Sequence, residues 1–132
     1  MAMQQPSGKL TLRTLAMPAD ANAAGDIFGG WVMAQMDLAC GIAAAERAHG
    51  RVVTAAVNEM SFQKAMKIGD TLCIYTAVER VGRTSMHLRV EAWAQRYLKT
   101  DFEMVTHATF VMVALDTDGK PAPIPPAPSG AE

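Results

Sequence analysis

The run Gly25-Asp26-Ile27-Phe28-Gly29-Gly30-Trp31-Val32-Met33-Ala34-Gln35-Met36-Asp37-Leu38-Ala39-Cys40 joins a glycine-rich turn to an apolar helix interrupted by one acid. From about Gly30 to His49 the pattern is helical, with Trp31, Val32, Met33, Met36, Ala39, Cys40, Ile42 and Ala43 dominating and Gly50 expected as the C-terminal cap. The helix is apolar on nearly every side, so a surface is expected to wrap most of it, and its many Ala and Gly residues let that surface come close. Gln35 and Asp37 interrupt its longest apolar stretch, Gly29 to Ala45, so a membrane span is not expected.

Outward from the helix the signal is β. Before it, Leu10 to Met17 reads as a short strand and Pro18 to Gly30 as a turn-rich loop. After it come Arg51 to Gln63, a turn at Ile68-Gly69-Asp70, Thr71 to Val81, a tight turn at Gly82-Arg83, Ser85 to Gln95, and Phe102 to Leu115. In Ser85 to Gln95, Met86, Leu88, Val90, Ala92 and Ala94 fall on one face, and Ser85, His87, Arg89 and Glu91 on the other. A half-buried antiparallel strand alternates in this way. The class is α+β: an antiparallel sheet of five to six strands curved around one long helix. Residues 1–120 form one domain, and residues 121–132 a proline-rich tail, extended or disordered; with Lys120 the tail holds five of the seven prolines. Such a sheet leaves edges open, so burial by a second copy is expected.

With 132 residues, 50% of them hydrophobic and 19% charged, the chain can build one packed core. A formal charge of −1 gives no basic field for nucleic acid or an anionic membrane. Cys40 and Cys73 lie in apolar segments without a CxxC pattern, and Met1 to Lys9 has no hydrophobic run, so reduced thiols, no signal peptide and a cytoplasmic setting are expected. No GxSxG elbow, Walker A loop or GxGxxG spacing occurs, and His49, His87 and His107 lack ligand spacing, so neither a metal nor a cofactor is expected.

Two features carry chemistry. The loop Asn22-Ala23-Ala24-Gly25-Asp26-Ile27-Phe28-Gly29-Gly30 brings a carboxylate and two glycines to a helix start, where unpaired N–H groups bind an anion or an oxyanion. A plainer reading stays open, in which the glycines make a sharp turn and Asp26 caps the helix. Asp37 is the second: an acid among Met33, Met36, Leu38 and Ala39, seven residues after Gly30 and so on the same helix face. A cleft along that face is expected to hold oxyanion donors at one end and a base within reach. A structural aspartate bonded to a neighbouring strand or subunit is the alternative.

The segments Leu12-Arg13-Thr14-Leu15-Ala16-Met17-Pro18, Asn22-x-x-Gly25-Asp26-Ile27-Phe28-Gly29-Gly30-Trp31, Gln35-Met36-Asp37, His49-Gly50-Arg51-Val52-Val53-Thr54, Gly82-Arg83-Thr84-Ser85 and Asp116-x-Asp118-Gly119-Lys120-Pro121 resemble the bacterial YciA-type acyl-CoA thioesterases. The resemblance covers roughly residues 10 to 125 and implies the hot-dog fold, hydrolysis of acyl-CoA to the free acid and CoA, and dimers with sites at the interface, often assembled as trimers of dimers. It implies Asp37 as the helix carboxylate and Asp26 as the loop polar residue, from opposite subunits. Asn22, Gly29 and Gly30 are the candidate oxyanion and substrate-binding residues. The chain departs from the family pattern at Ala21, Ala24 and Gln63-Lys64-Ala65-Met66.

CoA is a polyanion, for which Arg83 and Ser85 at a hairpin, Arg51 at a strand start and Lys120 before the tail are candidate contacts. Each is also an ordinary solvated group. A non-catalytic acyl-CoA-binding or structural hot-dog protein is the rival from another class. A hot-dog dehydratase is disfavoured because the loop-to-helix segment has no histidine.

Overall fold

The elements of the computed structural model, which describes residues 5–128, follow the expected order: β1 (Lys9–Leu15), a 3-10 turn (Pro18–Asp20), α1 (Gly29–Ala48), β2 (Val52–Phe62), β3 (Thr71–Val81), β4 (Ser85–Gln95) and β5 (Phe102–Ala114). The first four residues of the polar start and the last four of the tail lie outside the described residues. The strands form one antiparallel sheet in the order β1-β3-β4-β5-β2, five strands with no sixth among the described residues. β3, β4 and β5 make a meander, β1 and β2 are its two edges, and α1, which links β1 to β2, packs across all five strands.

The alternation expected for β4 sets the core. Met86, Leu88, Val90, Ala92 and Ala94 are all buried, and the register continues their rows through Leu72 and Ile74 on β3 and Phe110 and Met112 on β5. The helix meets this face with Val32, Met36, Ala39, Cys40, Ala44 and Ala48, whose small members bring its backbone close to the sheet.

The outer face of β4 is polar, but Glu91 is only 4% exposed. Its carboxylate accepts from Trp93 Nε1 at 2.9 Å, Arg89 Nε at 2.9 Å and the Ser7 N–H at 3.1 Å. Trp93 stacks on Phe102 with ring centroids 5.0 Å apart. Burial alone would raise the Glu91 carboxyl, yet these donors outweigh it and hold it below its ordinary value.

The connection from β2 to β3 is fixed by Asp70, 2% exposed, which accepts from Arg96 Nη1 at 2.7 Å, Tyr97 N at 2.9 Å and Lys67 N at 3.0 Å. Arg96 also reaches Glu103 at 2.8 Å and the Ala65 carbonyl at 2.9 Å. Removing one partner of such a buried pair costs about 3–5 kcal/mol. Gly69 turns with φ +90°, and a Cβ there would stand 2.9 Å from the Tyr97 ring, so no side chain fits.

Three expectations are corrected. The sheet covers one side of the helix and leaves the other open: Met33, Leu38 and Ile42 are 41%, 56% and 47% exposed. The left-handed residue ending the helix is His49 (φ 55°, ψ 38°), and Gly50 follows with its N–H on the Ala45 carbonyl at 3.3 Å. The tail is extended but docked as far as it is described: Ala122 N donates to Ala114 O, Ile124 N to Arg83 O, and Arg47 Nη1 to Pro125 O. Ile124 packs against the core.

Candidate active site

The loop before the helix is built by Asn22, whose Oδ1 accepts from Ala24 N at 2.9 Å and Asp26 N at 3.1 Å. Its own N–H donates to the Asp26 carbonyl at 2.8 Å, and Gly25 turns with φ +86°. Ile27 N donates to Met66 O and Phe28 N to Asp20 O, which anchors the loop on both sides. α1 then starts at Gly29, one residue earlier than expected, with Phe28 as its N-cap and no side-chain cap.

Asp26 therefore does not cap the helix. Its half-exposed carboxylate pairs with the Lys67 ammonium, a partner 41 residues away. The N–H groups of Gly29 and Gly30 find no acceptor among the described residues; the first helical donors to be satisfied are Trp31 and Val32, both on Phe28 O. A Cβ at Gly30 would meet open space. This helix start offers two free donors and the positive end of the helix dipole.

Asp37 is exposed on the open side of the helix rather than desolvated. Its Oδ1 accepts from the Thr54 hydroxyl on β2, which also lies 3.4 Å from Met112 Sδ. A hydroxyl has one hydrogen, so the carboxylate takes it and the sulfur is a packing contact. No donor reaches Asp37 Oδ2 among the described residues. Leu38, Gly41, Ile42, Val53 and Met112 complete an open groove of about 630 Å³ around the pair. Cys40, one turn on, is no nucleophile: burial, then the Asp37 charge, pushes its thiol far up.

Among the described residues, the single cleft expected along one helix face is absent. Gly29 opens into a different cavity, lined by Ile27, Val32, Phe62, Met66 and Val105. Gly30 and Asp37 stand about 10 Å apart along the axis, and the N–H groups at the helix start point away from Asp37. A reacting carbonyl must lie about 3 Å from both its oxyanion donors and its base. One helix cannot supply both.

Arg51, Arg83, Ser85 and Lys120 gather at the far end of the sheet, beside the helix C-terminus. Gly82 N donates to Ser85 O at 2.7 Å in the β3–β4 hairpin, where Arg83 is exposed; Arg51 Nη1 lies 3.5 Å from Asp116 O, and Lys120 N donates to Asp116 Oδ1 at 3.0 Å. Two arginines that the sequence reading did not single out join them. Arg47 and Arg80 line a cavity of about 590 Å³, and Arg80 Nη2 bonds His87 Nε2 at 2.9 Å. Arginine only donates, so that ring nitrogen accepts. Thr54, Lys67 and Phe62 were also missed. For Thr54 a signal existed, since alternation from half-buried Val52 turns it toward the helix. Among the described residues no group of three His, Cys, Asp or Glu is placed to hold a metal, and no helix is long and apolar enough to cross a membrane.

A family model described as the thioesterase superfamily matches residues 24–98, the stretch from the loop before α1 to just past the end of β4. The chain belongs to the thioesterase superfamily. This thioesterase is 48% identical over 123 residues to the acyl-CoA thioester hydrolase YciA of Salmonella typhimurium, across 91% of this chain and 92% of that one. It matches the hexameric thioesterase of Yersinia pestis at 45% identity and a TM-score of 0.90, covering 92% of this chain and 100% of that chain. The acyl-CoA hydrolase of Staphylococcus aureus, solved with butyryl coenzyme A and coenzyme A, matches at 31% identity and a TM-score of 0.80, over 86% of this chain and 70% of that one. Alanine variants of that enzyme at an aspartate and at a threonine are also solved. The hot-dog architecture expected from the sequence is the one observed.

Proposed function

We propose that this thioesterase hydrolyses acyl-CoA at a site shared by two copies of the chain, with Asp37 of one helix facing the Gly29/Gly30 helix start of the other. The observation that carries this reading is the Thr54–Asp37 bond in an open groove: it orients one carboxylate oxygen and leaves the other free for water. The two substituted positions of the Staphylococcus aureus hydrolase are 17 residues apart, as are Asp37 and Thr54 here, which supports pairing them in one role. Sharing between copies answers the 10 Å separation along a single helix. The exposed Met33, Leu38 and Ile42, with Val53 and Val57 on the unpaired edge of β2, supply an apolar surface for the second copy. The hexameric Yersinia pestis relative supports further assembly as a trimer of dimers.

In this reading Asp37 Oδ2 takes a proton from water as its oxygen attacks the thioester carbonyl carbon. The carbonyl oxygen becomes an oxyanion held by the Gly29 and Gly30 N–H groups. Collapse re-forms the C=O and breaks the C–S bond, the proton passes to the departing sulfur, and free acid and CoA leave. Asp26, fixed by Lys67, orients the water or the acyl end. Direct attack by Asp37 to form an anhydride gives the same products, and single-turnover labelling in ¹⁸O-water separates the two routes. The CoA nucleotide runs to the basic end, where Arg83, Ser85, Arg51 and Lys120 stand with Arg47 and Arg80; Asp37 and Arg47 are about 15 Å apart along the helix, a span suited to a pantetheine arm. The reaction needs only water and acyl-CoA. Both cysteines are buried and unpaired, which supports a cytoplasmic setting.

The test is release of free CoA, read with a thiol reagent across a panel of acyl-CoAs. Turnover is expected for the wild-type chain and its loss for Asp37→Asn. Binding without thiol release would instead assign a non-catalytic acyl-CoA carrier.

A further inference from the structure

Lys67 is tied to the fold by its backbone and to the loop before α1 by its side chain. Its N–H donates to Asp70 Oδ2 at 3.0 Å, and buried Asp70 is locked in turn by Arg96 Nη1 at 2.7 Å and Tyr97 N at 2.9 Å. Beside it Ile27 N donates to Met66 O at 2.8 Å, and Asp26 and Lys67 form an antiparallel bridge. The ammonium then reaches Asp26 Oδ1, and no donor reaches Asp26 Oδ2 among the described residues. Asp37 is held in the same way, with Thr54 on one oxygen and the other open. The difference is that the partner of Asp26 carries a charge.

We infer that Lys67 is a positioning residue that neutralises Asp26, so that Asp37 works as a base beside a neutral ion pair rather than beside a second anion. The inference rests on the reading above, in which Asp26 of one copy and Asp37 of the other face the same thioester. Two carboxylates at one site disfavour each other's ionised form, and a general base must be ionised to take a proton. The groups around the two acids leave this task to Lys67. Asp37 meets Thr54 on β2, and near it stand the Met112 thioether on β5 and the buried Cys40 thiol on its own helix, none of them a cation. On the far side of Lys67, Asp70 is paired with Arg96, and Lys99 and Asp101 line the same cavity. Lys67 is the cation in contact with Asp26 among the described residues. The helix start benefits too: with its charge balanced, Asp26, three residues before Gly29, does not oppose an oxyanion forming there.

The experiment follows kcat and KM for one acyl-CoA from pH 5 to 9 in the wild-type chain, Lys67→Met, Lys67→Arg and the double variant Lys67→Met/Asp26→Asn, with Tm recorded for each. Lys67→Met removes the charge but keeps the backbone anchor to Asp70, so its Tm is expected to stay nearly unchanged. The acid limb of its kcat profile is expected to move up by about 0.5–1 pH unit, the scale of two like charges about 4–6 Å apart in a watery cleft. On that limb it then turns over about 3–10-fold more slowly than wild type, with little change in KM. Lys67→Arg is expected to restore the wild-type limb. The double variant is expected to restore the position of the limb as well, since neither charge remains, while its kcat stays low for want of Asp26. A Lys67→Met profile with the wild-type limb overturns the inference, and so does a loss of activity that only tracks a loss of Tm. Asp37→Asn is the separate control: its retention of turnover defeats the reading of the site itself, whatever Lys67 does.

Discussion

The Thr54 hydroxyl donates to the Asp37 carboxylate across the gap between the edge strand β2 and the open face of the helix, joining residues 17 apart in the chain. The bond fixes one carboxylate oxygen and so aims the other. A hydrogen bond that selects an orientation acts on kcat rather than on affinity. Thr54→Ala is expected to lower kcat by about 10–100-fold with little change in KM, and Thr54→Ser to restore most of it. Asp37→Asn is expected to lose about 10²–10⁴-fold, the range of a general base. Steady-state kinetics on one acyl-CoA separates these outcomes, and equal effects of Ser and Ala at position 54 would show that the hydroxyl has no role.

Asp26 and Lys67 form a half-exposed ion pair, with side chains 38% and 59% exposed. Pairs of this kind contribute about 0–1 kcal/mol, so Asp26→Ala is expected to leave Tm nearly unchanged while lowering turnover. If the site is shared, mixing Asp26→Ala and Asp37→Ala subunits regenerates one intact site in each mixed dimer. Activity is then expected to recover toward about a quarter of wild type after random exchange. Absence of recovery despite demonstrated exchange assigns both acids to one chain.

Arg83 is exposed at the β3–β4 hairpin, and its own carbonyl accepts from Ile124 N at 2.8 Å. Arg83→Ala is expected to raise KM for acyl-CoA by about tenfold, the low end for a charge-assisted hydrogen bond, while sparing a truncated pantetheine thioester. An equal loss on both substrates removes the phosphate contact.

Glu91 makes stability depend on pH with a definite sign. Burial favours its neutral form, but Trp93, Ser7 and Arg89 outweigh this, so its folded value lies below the unfolded one. The unfolded chain therefore binds more protons across that window. The contribution is complete above the unfolded carboxylate value, near neutral pH, and is lost as pH falls through the folded value. Glu91→Gln is expected to be less stable than wild type at pH 7 by about 1–3 kcal/mol and to shed part of the acid-side slope. Denaturant midpoints at pH 7, 5 and 4 read both effects.

Much of the architecture was legible because β4 alternates so cleanly and because the long apolar helix has only a sheet face to lie on. The open side of the helix was not. Met33, Leu38 and Ile42 are apolar whether the chain's own sheet or a second copy covers them, and hydropathy alone does not separate the two. The glycine start and Asp37 could be picked out as unusual residue types in an apolar run. Their placement in separate cavities of one chain could not, since it depends on where β2 and the 63–70 connection come to rest. Lys67 meets Asp26 and Thr54 meets Asp37 only through tertiary register. His49 took the left-handed position expected of Gly50, a one-residue shift within the scatter of helix ends.

The strand order has a consequence for how the chain comes together in time. β3, β4 and β5 are hairpin neighbours and form from local contacts, but β2 finds its one sheet partner among the described residues in β5, the last of the described strands to emerge. Closing that long loop is the slow, entropically costly step. During synthesis β2 must therefore wait, edge unpaired and apolar residues showing, while some forty residues are added behind it. Thr54 acquires its place opposite Asp37 only when β5 docks, so the Thr54–Asp37 pair is among the last features the nascent chain acquires.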